Sequence, residues 1–145
     1  MKINIRHFSD FHYQAKFADD CARVGKLMAE STKDLPVDII IFSGDLAQGV
    51  EESFSDAYNA LIKPIQKKHH LPMSQILIVP GNHDVDKTVA QDSIETLAHC
   101  ESEEQLDAFC TNQRQMQSSL TRMKPYRKFC KTLFGEILQD FVWGE

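Results

Sequence analysis

Val37-Asp38-Ile39-Ile40-Ile41-Phe42, followed at once by Ser43-Gly44-Asp45, is a near-continuous β-branched run that ends on a turn signal. Such a run reads as a strand covered on both faces, and strands of that kind belong to parallel sheets. Upstream, residues 2–8 set Ile3, Ile5 and His7 on one face of a shorter strand, which runs into Ser9-Asp10-Phe11-His12. Downstream, Ile76-Leu77-Ile78-Val79 closes on Pro80-Gly81 and runs into Asn82-His83-Asp84.

Helical periodicity fills the gaps. Phe17, Cys21, Val24 and Met28 predict an amphipathic helix over 18–32, with those four residues on its buried face. Phe54, Ala57, Leu61 and Ile65 give the buried stripe of a second helix, with Ser53 and Asp56 as its capping box. Pro64 falls inside that stripe and predicts a kink. The order is therefore β-α-β-α-β. Right-handed crossovers bring the three strand ends to one rim of the sheet, where open α/β sheets place their ligands.

After Lys87 no β-rich run remains. Leu106, Phe109, Cys110 and Gln113 suggest one helix. Tyr126, Phe129, Cys130, Leu133, Phe134, Ile137, Leu138 and Phe141 form the apolar face of another, with Pro125 in its first turn. Residues 1–90 are expected to form the core, and residues 91–145 a helical insert or appendage of the same domain. Trp143 and Phe141 read as core or interface residues.

Composition narrows the function classes. The 145 residues are 42% hydrophobic and 26% charged, as in an ordinary globular domain. A net charge of −5 argues against a generally nucleic-acid-binding surface, while Arg122, Lys124, Arg127, Lys128 and Lys131 leave a local basic patch open. No stretch approaches the ~20 apolar residues of a membrane-spanning helix. Met1-Lys2 leads straight into a strand and not into an apolar leader. The four cysteines form no C-x-x-C pair, which suits reduced thiols and a cytoplasmic location. His99, Cys100, Cys110 and Cys130 match no zinc-finger spacing.

The three strand-end strings carry the chemistry. Asp10 and His12, two apart on an extended segment, share a face and can grip one ion. Gly44 lets the backbone turn sharply before Asp45, whose carboxylate can bridge two ions. Asn82 offers a neutral oxygen donor for magnesium or manganese, and for iron or zinc in mixed sites. His83 is left for acid–base work, with Asp84 behind it fixing its tautomer. Each string alone reads as an ordinary turn. All three occur in order, each directly after a parallel strand.

Phe8-Ser9-Asp10-Phe11-His12, Ser43-Gly44-Asp45-Leu46 and Pro80-Gly81-Asn82-His83-Asp84 resemble the first three signature blocks of the calcineurin-like metallophosphoesterase superfamily, over residues 3–86. The resemblance implies the first half of an α/β metallophosphoesterase sandwich. It implies Asp10 and His12 on a first metal, Asp45 bridging, Asn82 on a second, and His83 near the leaving group. It implies two divalent ions, manganese first, with iron, zinc or magnesium as alternatives. The reaction is hydrolysis of a phosphomonoester or phosphodiester by a metal-bound hydroxide, and some relatives are DNA nucleases. The family pattern continues to a Gly-His-x-His block, whereas the last histidine here is His99 and no Gly-His pair occurs. We therefore expect weak or no activity from this chain alone, and self-association or a missing carboxy-terminal half. The alternative reading is a non-catalytic sensor or interaction module.

Overall fold

The computed structural model describes residues 2–48 and 51–135. Three strands, β1 (Ile5–Phe8), β2 (Ile39–Ser43) and β3 (Ile76–Val79), form one parallel sheet in the order β1-β2-β3. Ile5 pairs with Ile39, and Ile40 with Ile76, so all three strands end level. The expected β-α-β-α-β path is the observed one.

Both crossovers step in the same direction, which places their helices on one face of the sheet. The first is α1 (Ala18–Ser31). The second is continuous but not uniform: α2 (Glu51–Ala57), a π-helical turn (Tyr58–Ile62) and α3 (Lys63–Lys68). Proline explains the π turn. Pro64 has no N–H to give the Ala60 carbonyl, and its ring would strike that carbonyl in a regular helix. The helix widens just before it, and the Lys63 amide reaches back to Tyr58. The expected kink is taken up as this bulge. Ser53 lies inside α2, not at its cap as expected.

The core lies between this helix layer and the sheet. Ile40, Phe42, Phe54, Ala57, Leu61, Ile62 and Ile65 are almost fully buried. Two expectations are corrected. First, α1 turns a different face inward: Gly25 and Ala29 are buried and Cys21 packs half-buried against the core, while Phe17, Val24 and Met28 are exposed. Size decided this. A Cβ on Gly25 would sit 2.8 Å from the Ala60 carbonyl carbon and 3.1 Å from Leu61 Cα, so only small residues let α1 approach the π turn. Second, the described residues cover the sheet on one face only. Ile5, Leu77 and Val79 are each about half exposed on the other.

The remaining helices are α4 (Gln91–Ala98), α5 (Glu103–Thr111), α6 (Gln113–Leu120) and α7 (Lys124–Phe134). The segment is more broken than its periodicity suggested. Of the residues expected on its first apolar face, Phe109 is buried, while Leu106 and Cys110 are exposed. Helix α7 follows its expected face: Phe129 stacks on Phe54 at 5.5 Å, and Tyr126 meets Phe54 edge-on at 5.9 Å. Ile137, Leu138, Phe141 and Trp143 lie outside the described residues. No described helix is long and apolar enough to cross a membrane.

Candidate metal centre

The turns after the three strands meet at the rim. The loop after β1 zips onto the loop after β2: the amides of Asp10, His12 and Tyr13 donate to the carbonyls of Gly44, Asp45 and Leu46 at 2.8–3.1 Å. The turn after β3 closes on both. Its anchor is Asp84, fully buried, whose carboxylate accepts the amides of Ala47 at 2.8 Å, Gly81 at 2.9 Å and Leu46 at 3.1 Å. With amides on both of its oxygens, this carboxylate ties the turn after β3 to the turn after β2. Buried carboxylates persist where backbone donors satisfy them in this way.

Gly81 makes the meeting possible. A Cβ there would lie 2.6 Å from the Asp45 amide nitrogen and would also overlap the Asp45 carboxylate. Gly44 takes a φ of +104°, in keeping with the sharp turn read from its position. Three of the expected ligands share a feature that the sequence does not mark. Asp10, His12 and Asp45 have φ of 58°, 49° and 59°, in the left-handed region that non-glycine residues seldom enter. Asp10 and His12 are thus held in a turn, not on the extended segment expected. Strain of this kind collects at functional sites.

The donors then converge. The His83 amide donates to Asp45 Oδ1 at 2.8 Å and leaves Oδ2 turned toward His12. His12 Nε2 stands 3.9 Å from Asp45 Oδ2 and 3.8 Å from Asp10 Oδ1. Nitrogen and oxygen at such distances are too far apart to hydrogen-bond. They are spaced as donors on one ion: at bond lengths of ~2.0–2.2 Å, neighbouring ligands lie roughly 3–4 Å apart. The rings of His83 and His12 meet edge to face at 4.8 Å. His12, Asp45 and His83 each offer a ligand atom within 4.8 Å of the others, the one such group of three among the described residues. Mixed imidazole and carboxylate donors suit a divalent transition metal.

Asp10, His12, Asp45 and His83 are therefore gathered. Asn82, exposed in the same turn, lies next to His83 along the chain. The cysteines do not gather: Cys130 is buried against Tyr126, Cys110 is exposed, and they form no metal-type group with His99 or Cys100 among the described residues. Sequence reasoning missed Arg122 and Tyr126. Arg122 Nε donates to the Asp86 carbonyl at 2.9 Å, and Tyr126 Oη donates to the Ile78 carbonyl at 2.6 Å. The first read as part of a basic stretch and the second as core. Their only signal is apolar and cationic spacing on one helix, which does not point to β3.

Residues 3–137 match the model of a family described as calcineurin-like phosphoesterase. No curated protein matches the chain.

Proposed function

The chain belongs to the calcineurin-like phosphoesterase family, and from that premise we propose that it hydrolyses a phosphodiester or phosphomonoester at the Asp10, His12, Asp45 and His83 cluster. One observation carries this reading: His12, Asp45 and His83 present ligand atoms within 4.8 Å of one another at the carboxyl ends of parallel strands. Asp10, His12 and Asp45 Oδ2 would hold a first divalent ion, manganese being our choice, and Asp45 with Asn82 a second. Such ions, when bound, lower the proton affinity of water and polarise the phosphoryl oxygens.

The side chains then divide the work. The Asp45 carboxylate is held by the His83 amide at Oδ1, so its free oxygen keeps one direction. His83 presents its ring beside His12 and hands a proton to the departing oxygen from a ring nitrogen. Asp84 acts behind the site by fixing the turn. The second ion finds few protein donors among the described residues, so we expect slow turnover. The half-bare sheet supports a second copy of the chain as the first partner.

Titration calorimetry with Mn²⁺ tests the reading, paired with release of p-nitrophenol from bis(p-nitrophenyl) phosphate. Wild-type chain binds Mn²⁺, and Asp45→Asn binds it at least tenfold more weakly with loss of the slow hydrolysis. Absence of binding at millimolar Mn²⁺ would overturn the proposal in favour of a non-catalytic interaction module.

A further inference from the structure

Two hydrogen-bonded anchors flank the turn that carries Asn82 and His83, and both come from the helical arm. On the near side, Tyr126 Oη donates to the Ile78 carbonyl at 2.6 Å. Among the described residues β3 pairs with β2 alone, and α7 is what ties its Ile78 carbonyl to the helical arm. On the far side the bond is doubled: Arg122 Nε donates to the Asp86 carbonyl at 2.9 Å, and the Asp86 amide donates to the Arg122 carbonyl at 3.0 Å. Asp86 is itself fixed, accepting from the amide of Thr88 at 2.8 Å and from its hydroxyl at 2.6 Å. Tyr126 is buried between Phe54 and Phe129, so its hydroxyl has little freedom to wander.

We propose that Arg122 and Tyr126 are positioning residues, a clamp from the α6–α7 arm that sets the Gly81–Asp84 turn against Asp45. The route is short. The clamp fixes residues 78 and 86, and the turn between them places the His83 amide on Asp45 Oδ1 at 2.8 Å. That bond decides which carboxylate oxygen is spent on the backbone and which faces His12. The same turn carries the His83 ring. Displacing it therefore disturbs the ion-binding oxygen and the acid–base group together. The metal consequence rests on the function proposed above; the positioning of the turn does not.

Amide hydrogen exchange on the full chain without metal separates the two. Tyr126→Phe deletes one donor, and Arg122→Met deletes the other. Arg122→Gln puts an N–H back where Nε stood but carries no charge, whereas Arg122→Lys keeps the charge and loses the fork. In Tyr126→Phe and Arg122→Met the Gly81 and His83 amides exchange roughly fivefold faster, the scale of one lost hydrogen bond. Amides of Ile40 and Phe42 keep their wild-type rates, and Arg122→Gln restores protection. Mn²⁺ affinity, read by calorimetry, falls by a similar factor in the first two variants.

Unchanged exchange at Gly81 and His83 in both deletions overturns the clamp. So does equal acceleration throughout β2, which would mean general destabilisation, or restoration by lysine but not glutamine, which would make Arg122 a charge and not a tether. A wild-type chain that binds no Mn²⁺ removes the metal reading and leaves the clamp to be decided by exchange.

Discussion

A single methyl group probes the point where the second and third turns touch. At Gly81 a Cβ would meet the Asp45 amide nitrogen and the Asp45 carboxylate, which the His83 amide already holds. Gly81→Ala must push these turns apart, at a cost of about 1–3 kcal/mol for an overpacked site. Urea unfolding should report that loss, and Mn²⁺ calorimetry should report the loss of binding; wild-type values in both would show that the turns give way freely. His69 supplies a different residue-scale outcome. Burial, then the positive neighbours Arg6, Lys68 and His70, hold its pKa below the usual histidine value, and its Nε2 stands 2.9 Å from Thr32 Oγ1. The unfolded chain thus takes up this proton first. Stability present above pH ~6.5 is lost as pH falls through the lower, folded value. His69→Gln should flatten the dependence of the urea midpoint on pH in that window, and an unchanged slope would refute the assignment. At this scale the side chains that converge were legible, since Asp10, His12, Asp45 and His83 stand in order after apolar runs. The left-handed backbone of Asp10, His12 and Asp45 was not, because nothing in their neighbours along the chain separates an extended conformation from a positive φ. The Asp84 role was also hidden: its partners are the backbone amides of Leu46 and Ala47, which no motif displays.

Elements bring in size, which periodicity ignores. The stripe of Phe54, Ala57, Leu61 and Ile65 was readable because large apolar residues lay on the face that packs. In α1 the largest residues point elsewhere, and the contact is made by Gly25 and Ala29. The cause is a neighbour remote in sequence. Pro64 deprives the Ala60 carbonyl of its helical partner, the π turn carries that carbonyl outward, and Gly25 leaves the space it occupies. Gly25→Ala gains about 1 kcal/mol of helix propensity. It also drives a Cβ into backbone atoms of Ala60 and Leu61 that no rotamer change can move, so the clash wins. The expected result is a net loss of at least roughly 1 kcal/mol, read as a lower urea midpoint with helical circular dichroism retained. A stabilised variant would mean that α1 does not pack on the π turn as described.

At the scale of the whole molecule, the described residues leave one side of the sheet bare. Ile5, Leu77 and Val79 are 53%, 51% and 51% exposed there, and His7, Ile41 and Leu77 line up across the three strands. The β-branched run at Val37–Phe42 was read as doubly covered because its alternation is apolar on both faces. That reading described what the residues favour, not what covers them here. Ile39 and Ile41 are half-buried. Apolar surface of this kind, with both edge strands unpaired among the described residues, favours a second layer. A second copy stacked sheet to sheet would bury it. Three half-exposed apolar side chains are few against the roughly 20–30 residues a side of a standard interface, so the association should be weak and concentration-dependent. Sedimentation velocity from micromolar upward should show a monomer–dimer equilibrium. The double variant Ile5→Lys, Leu77→Lys should abolish it, because each change sets a charge in the contact. Neither residue belongs to the strand-end turns, so Mn²⁺ binding should persist in that variant. A wild-type chain that stays monomeric over the whole range would show that this face tolerates water without a partner.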